Sequence, residues 1–176
     1  HYYFLLVRLF GGVPLQTEPA DSDSDLLLPR ASAEKVYELI VEDLDQAITL
    51  LPKRSAYTQE HIGRATKEAA MAELARVYLT HYQDYEHYQL VVDLCEEIRK
   101  MGYQLEANYA DLWNPSKQNG VESIFEVQYY GKTNYDFWSN ENQSSWLSTF
   151  TGPRNSGMAA GCYGWNQPTA EFVSQY

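Results

Sequence analysis

Three segments within residues 32–101 repeat apolar side chains with the 3.6-residue period of an α-helix. In the first, Ser32 occupies the position of an N-cap and Pro52 prevents the helix from continuing. In the second, Thr66 takes the capping position and the apolar pattern runs to about His81. The third follows the turn "YQDY" and ends at a glycine. The pattern predicts three helices whose apolar faces meet in one core.

The second and third predicted helices form a pair over residues 66–101, close to the repeat of about 34 residues in tetratricopeptide proteins. Alanines in the first helix of the pair and Tyr85 at the start of the second fit that repeat. Residues 32–51 form a more divergent unit with the helix that follows them. We therefore predict a mainly α fold of tetratricopeptide-like antiparallel helix pairs, with long loops and little β-strand.

Both ends of the chain have the pattern of interrupted helices. The opening "HYYFLLVRLFGGVPL" is shorter than the roughly 20 apolar residues of a transmembrane helix, and it lacks the pattern of a secretory signal. Gly11 and Gly12 end this helix near Phe10. At the other end, Thr169 caps a helix that stops shortly afterwards. We expect an internal segment of a longer protein, truncated at both ends.

We predict a single domain over residues 1–176, with a helical repeat region at 1–113 and a strand- and loop-rich region at 114–176. Alternation of apolar and polar side chains over residues 123–130 predicts the one strand. Beyond Gly131 the composition changes to Asn, Ser, Gly and aromatic residues without a sustained period. Such a composition is typical of a long functional loop.

The chain carries 24 acidic and 13 basic residues, a formal net charge of -11 at pH 7. This charge repels a phosphate backbone, so we expect no nucleic acid partner. Two cysteines, Cys95 and Cys162, are too few for a disulfide scaffold and lack zinc-ligand spacing. Cys95 falls on the apolar face of the third helix, where we expect a free buried thiol.

Catalytic and metal-binding patterns are weak throughout. Ser32 and Lys35 match the S-x-x-K spacing of serine acylases, but no companion motif follows. The loop "ADSDSD" resembles part of a calcium loop and lacks its central Gly and closing Glu. A glycosidase needs two carboxylates about 5 to 9.5 Å apart, and nothing in the sequence pairs the candidates. We predict no cofactor and no metal. The candidate carboxylates are Glu122, Glu126, Asp136 and Glu141.

Six motifs follow the order and approximate spacing of the SusD/RagB family. They are "YYFLLVRLFGGVPL", "RASAEKVYELIVEDLDQAITLLP", "GRATKEAAMAELARVYL", "YADLWNP", "ESIFEVQYY" and "GWNQPTAEFV". The chain thus resembles this family over nearly its whole length. The resemblance implies an α-helical, tetratricopeptide-like fold in a surface-exposed lipoprotein of the outer membrane.

The same resemblance implies a function in nutrient uptake and polysaccharide utilisation. Family members are non-catalytic carbohydrate-binding proteins, some of which bind peptides, and they pass the ligand to a SusC-like TonB-dependent transporter. Membrane attachment would come only from a lipid anchor on an N-terminal segment outside this sequence. A peptide- or protein-binding tetratricopeptide adaptor is the alternative, since helix pairs alone fit it equally well. Such an adaptor usually displays polar and basic side chains rather than a loop rich in Trp and Asn.

Aromatic residues make up 14% of the chain, with a concentration in its second half. The segment "TNYDFWSNENQSSW" combines rings that can stack on a sugar with side chains that can bind its hydroxyls. We predict that this segment binds the ligand; the alternative is that its aromatic rings only pack the loop against the helices. The predicted platforms are Trp138, Trp146 and Tyr135, surrounded by Asn134, Asp136, Asn140 and Asn142. Trp113 and Trp165 lie inside family motifs, and we expect them to pack in the core.

Overall fold

The computed structural model describes residues 1–21, 27–129, 150–152, 154, 163–165 and 167–175, and all regular secondary structure among them is helical. This confirms the mainly α fold. The chain forms two compact units, His1–Glu126 and Val127–Tyr176, and the predicted single domain stays a prediction. No helix in the described part of the chain is long and apolar enough to span a bilayer. The helices are α1 (Tyr2–Phe10), α2 (Ala33–Leu50), α3 (Lys67–His81) and α4 (Tyr85–Lys100) in the first unit, and α5 (Ala170–Val173) in the second.

Side-chain caps start α2 and α3 where the sequence predicts them. The Ser32 hydroxyl accepts a hydrogen bond from the Lys35 N–H at 3.3 Å, and the Thr66 hydroxyl accepts one from the Ala69 N–H at 3.1 Å. Each bond satisfies a backbone donor that has no partner within the first turn of its helix. The S-x-x-K spacing of Ser32 and Lys35 is therefore that of a helix start.

Helices α1, α2 and α3 share one apolar core. The face of α2 that its period predicts is buried, as Val36 and Ile40 show. The facing side of α3 combines large side chains with alanines such as Ala70, which keep the two helices close together. Phe4 of α1 lies on this interface and is fully buried. The core comprises Phe4, Val7, Val13, Val36, Tyr37, Ile40, Leu44, Ala70, Leu74 and Val77.

The turn after α1 is held against the segment that leads into α2. Gly12 lies so close to Ala31 that a Cβ atom there would collide with the Ala31 carbonyl oxygen, so only glycine fits. The Ala31 N–H donates to the Val13 carbonyl at 3.0 Å. The Arg30 side chain donates to the carbonyls of Gly12 and Phe10 at 2.8 and 2.6 Å. These bonds fix the position of α1 relative to α2.

Helix α4 packs on α3 through a narrower stripe than its apolar pattern predicts. Val91 and Ile98 are buried, and Leu94 between them packs against the core. The prediction of a buried Cys95 thiol is wrong, because Cys95 lies beside this stripe and is exposed. Cys162 lies outside the described residues.

The strand predicted over residues 123–130 does not form among described residues 123–129, and that prediction is wrong for them. Phe125 and Val127, which the alternation places on one face of a strand, are both exposed. A strand requires a neighbouring strand to bind its backbone groups. Here a side chain takes that place, since Arg54 donates to the Ser123 carbonyl at 2.7 Å. Tyr130 lies outside the described residues.

In the second unit, Thr169 caps α5 as predicted, with its hydroxyl accepting the Phe172 N–H at 3.1 Å. The rings of Phe150 and Trp165 stack with centroids 4.7 Å apart and an interplanar angle of 7°. Tyr163 tilts against both rings at 5.8 and 5.6 Å. The prediction of a core position for Trp165 is wrong, because the residue packs on Phe150 at the surface and is 57% exposed.

Leu74 on α3 is 3% exposed, whereas Leu79 on the same helix is 52% exposed. Leu74→Ala removes buried carbon atoms and leaves a cavity, so we expect the free energy of unfolding to fall by about 2–5 kcal/mol. The matched variant Leu79→Ala should change it by less than about 0.5 kcal/mol. Urea unfolding followed by circular dichroism measures both. Equal midpoints for the two variants would contradict this placement of the core.

Candidate ligand-binding cleft

All seven residues predicted to bind a ligand lie outside the described residues, so their arrangement stays a prediction. They are Trp138, Trp146, Tyr135, Asn134, Asp136, Asn140 and Asn142. Another surface that combines aromatic and polar groups lies within the first unit. It is built around the 3₁₀ turn Tyr109–Trp113.

Two asparagines shape the chain on either side of Trp113. The Asn108 side chain accepts a backbone N–H two residues further on at 3.2 Å and starts the turn Tyr109–Trp113. Asn114 accepts in the same way at 3.0 Å and starts the next turn, Pro115–Lys117. A short side chain with an acceptor oxygen commonly forms such bonds to nearby backbone. Trp113 is thus the last residue of one capped turn and lies just before a second one.

The Trp113 ring lines a cleft on the surface of the first unit. Trp113 and Tyr109 are 72% and 71% exposed, and their rings meet edge to face with centroids 6.2 Å apart. The predicted core position of Trp113 is therefore wrong, because no described element packs over this turn. The cleft has a volume of about 330 Å³, which falls within the usual range for small-ligand sites. It is lined by Glu106, Asp111, Leu112, Trp113, Asn114, Lys117, Gln118, Gly120, Glu122, Ser123 and Glu126.

Three carboxylates brace the backbone around the cleft. Glu122 accepts the Glu106 N–H at 2.8 Å, and Glu106 in turn accepts the Val121 N–H at 3.2 Å. Both Glu126 oxygens accept the Asn119 N–H, at 3.2 and 3.3 Å. An ionised carboxylate has about four acceptor positions, so Glu106 and Glu122 keep acceptor capacity toward a ligand. Two of the candidate carboxylates for hydrolysis, Glu122 and Glu126, are thus structural acceptors here.

Asp111 and Lys117 form an ion pair in the cleft, with 2.5 Å between the Lys117 Nζ and the Asp111 Oδ2. The hydrogen bond to Asp111 raises the pKa of Lys117, so the ammonium stays charged at neutral pH. The positive charge of Lys117 and the negative charge of Asp111 therefore cancel in the net charge of the cleft. The remaining formal charge in the described lining is that of Glu106, Glu122 and Glu126, a total of −3.

Arg54 fastens the floor of the cleft to the helices. Its guanidinium donates to the carbonyls of Gly120 at 3.1 Å, Ser123 at 2.7 Å and Asn119. The planar guanidinium has five donors, which lets one side chain reach several acceptors. The backbone N–H of Arg54 donates to both oxygens of Glu68 at 3.2 and 3.1 Å. Glu68 lies in the first turn of α3 and is 2% exposed, so Arg54 joins a buried carboxylate to the cleft.

Tyr103 contributes a neutral ring to this connection. The guanidinium carbon of Arg54 lies 5.8 Å from the centroid of the Tyr103 ring, within the range of a cation–π contact. Burial raises the pKa of the Tyr103 hydroxyl, and the charge of Glu68 raises it further. The hydroxyl therefore stays protonated at neutral pH, and Arg54 faces a ring without charge.

The chemistry of the cleft favours binding of an uncharged, hydroxyl-rich molecule. It offers an exposed indole, the amide groups of Asn114 and Gln118, and carboxylate acceptors. Aromatic and amide groups of this kind orient small polar ligands in protein sites. The described residues contain no group of three or more His, Cys, Asp and Glu side chains placed to hold a metal ion.

Sequence reasoning missed this cleft because the motif "YADLW" suggests a buried turn. The local signal that could have revealed it is the pair of capping asparagines, Asn108 and Asn114, with a proline after the second. Two consecutive capped turns are typical of a surface segment. The contribution of Arg54 has no local signal, because its acceptors lie 65 to 69 residues further along the chain.

Comparison with known proteins decides the family. A SusD-like family model, described as "Starch-binding associating with outer membrane", matches residues 1–79. The chain is 31% identical over 128 residues to a SusD-like protein of Formosa agariphila, covering 72% of this chain and 23% of that protein. The chain belongs to the SusD/RagB family. The resemblance carried by the six sequence motifs is thereby confirmed.

Solved structures of SusD-like proteins share the fold of this SusD/RagB chain. A SusD-like carbohydrate binding protein of Bacteroides fragilis matches with a TM-score of 0.65 and 27% identity, covering 73% of this chain and 25% of that one. A SusD homolog from Bacteroides thetaiotaomicron matches with a TM-score of 0.70 and 25% identity, covering 93% and 32%. The SusD-like chain therefore spans about a quarter of the length of the relatives it matches.

Arg54→Gln removes the guanidinium that binds three backbone carbonyls. We expect the free energy of unfolding to fall by about 1–3 kcal/mol, because partly buried acceptors lose their donor. The control Arg64→Gln replaces an exposed arginine and should change it by less than about 0.5 kcal/mol. Amide hydrogen exchange at residues 119–126 should become faster in Arg54→Gln only. Unchanged protection there would show that Arg54 does not hold the cleft.

Proposed function

We propose that this chain is part of a non-catalytic glycan-binding component of an outer-membrane nutrient uptake system. The observation that carries the proposal is the match to a family described as starch-binding and associating with the outer membrane. The similar protein of Bacteroides fragilis is described as a carbohydrate binding protein. The ligand is an oligosaccharide or polysaccharide.

The side chains of this chain support the proposal. A pyranose ring has a flat face of C–H bonds that packs on an aromatic ring, and a rim of hydroxyls that binds amides and carboxylates. The cleft at Trp113 combines such groups. The segment that holds Trp138 and Trp146 has the same combination in its sequence, and we propose that it also binds the ligand.

The captured oligosaccharide passes to a SusC-like TonB-dependent transporter, and a lipid anchor holds the protein at the cell surface. The family's association with the outer membrane supports both the transfer to a transporter and the attachment to the membrane. In this arrangement, the glycan-binding component concentrates the ligand at the transporter.

Capture without cleavage agrees with the partners of the cleft carboxylates. Hydrolysis of a glycosidic bond requires one carboxylic acid that donates a proton and a second carboxylate that acts as base or nucleophile. Glu122 and Glu126 instead accept hydrogen bonds from backbone N–H groups of the loop that they brace. Both side chains are therefore engaged in supporting the loop.

The predicted platforms can be tested in the full-length protein with Trp138→Ala and Trp146→Ala, made singly. Each should weaken binding of the tightest ligand on a glycan array by roughly 1–3 kcal/mol, by analogy with base stacking on aromatic side chains. Isothermal titration calorimetry measures the affinity, and circular dichroism checks the fold. Undiminished binding in both folded variants would exclude these two rings from the site. Binding to peptides but to no glycan would favour the adaptor function instead.

A second test determines whether glycan binding requires a metal ion and whether the protein cleaves the bound glycan. We expect the glycan affinity of the full-length protein to be unchanged by EDTA, and prolonged incubation to release no new reducing ends. Calorimetry with and without EDTA, followed by a reducing-sugar assay, measures both. Affinity that disappears with EDTA and returns with calcium would implicate the "DSDSD" loop. New reducing ends would refute the non-catalytic function.

A further inference from the structure

We propose that the Trp113 cleft is a subsite for an uncharged pyranose and disfavours acidic glycans. The inference rests on the proposed function of glycan capture, to which it adds a location and a ligand class. It is independent of the predicted platforms at Trp138 and Trp146.

The indole of Trp113 is presented to solvent on an ordered backbone. Trp113 is 72% exposed although its backbone is held between two turns that Asn108 and Asn114 cap. A ring on a backbone that is already ordered loses little further conformational freedom when a ligand packs on it. Its exposed surface is apolar and flat, as the C–H face of a pyranose requires.

Hydrogen-bonding groups lie beside the ring in the lining of the cleft. The Asn114 Oδ1 accepts from the Ser116 N–H at 3.0 Å and from the Ser116 hydroxyl at 2.6 Å. These bonds orient the amide and leave its NH₂ group to donate to a ligand. Glu106 and Glu122 supply acceptors, and Gln118 supplies both kinds of group. Sugar hydroxyls both donate and accept, so the cleft suits them.

The cleft also carries a net negative charge. Glu106, Glu122 and Glu126 line the cleft, and the ammonium of Lys117 is bound to Asp111. Of the four carboxylates in the described lining, Asp111 is paired with Lys117, so the net formal charge of the lining is −3. A uronate or sulfate group in the cleft would lie well within a Debye length of about 8 Å from these charges. Acidic sugars would therefore be repelled, whereas neutral sugars would not.

The test compares neutral and acidic ligands on the full-length protein by isothermal titration calorimetry. The neutral probes are maltohexaose, cellohexaose and xylohexaose, and the tightest of them is used further. The acidic probe is a hexamer of galacturonic acid. We expect Trp113→Ala to weaken the neutral ligand about tenfold, by analogy with stacking of bases on aromatics. Trp113→Tyr keeps a ring and should remain within about threefold. Tyr85→Ala, at a ring 83% exposed on α4 outside the cleft, is the control and should have no effect.

A second variant tests whether the negative charge of the cleft repels acidic sugars. Replacing Glu106 and Glu122 together by Gln keeps an acceptor oxygen at each position and removes two negative charges. The affinity for the galacturonate hexamer relative to that for the neutral ligand should rise about fivefold or more, because only the acidic ligand interacts with net charge. Raising the salt concentration should produce the same selective gain in the parent protein.

The possible failures are distinguishable. A full-length protein that binds none of the four probes and no glycan on an array would overturn both the subsite and the proposed function. Glycan binding that persists at full affinity in folded Trp113→Ala would overturn the subsite alone. Tighter binding of galacturonate than of every neutral hexamer would overturn the assigned ligand class.

Discussion

The hydrogen bonds of Arg54 are the interaction on which the cleft depends. The loop after α4 has no regular ladder to satisfy its backbone, and each ordered residue costs about 1–2 kcal/mol of conformational entropy. Backbone carbonyls that leave water also require donors. Arg54 supplies donors to the carbonyls of Asn119, Gly120 and Ser123 from one side chain. Its own backbone N–H binds Glu68, so the loop is tied to the start of α3.

The position of that tie follows from the packing of the helices. Arg54 lies just after α2, and the Lys67 N–H at the start of α3 donates to the Pro52 carbonyl at 3.0 Å. The shared core of α2 and α3 therefore determines where Arg54 and Glu68 meet. A change in the crossing of these helices would move the floor of the cleft, although no core side chain lines it. The repeat-like helix pairs thus act as a scaffold that positions a loop-borne site.

The carboxylates of the cleft both support its loop and give it a negative charge. Glu106, Glu122 and Glu126 hold the loop through backbone N–H groups, and the same side chains give the cleft its negative charge. A stacking ring beside such acceptors can retain a neutral sugar. One set of side chains therefore supports the loop and, in the function that we propose, contributes to the choice of ligand. The surface that we propose to bind uncharged glycans is acidic because its loop is held by carboxylates.

The sequence by itself determined the helices and the family. Period and caps placed the helix after Ser32 at residues 32–51, and α2 occupies Ala33–Leu50. These features are predictable because capping and helical periodicity depend on residues a few positions apart. The tertiary structure alone decided that Cys95 and Trp113 are exposed and that residues 123–129 form no strand. Burial and strand pairing depend on what packs opposite a segment. The cleft depends on the same kind of contact, because Arg54 binds backbone carbonyls more than 60 residues further along the chain. The ligand-binding residues predicted between Asn134 and Trp146 lie outside the described part of the chain and stay a prediction. The sequence alone cannot decide their arrangement, because a binding surface is formed by groups that only the folded chain brings together.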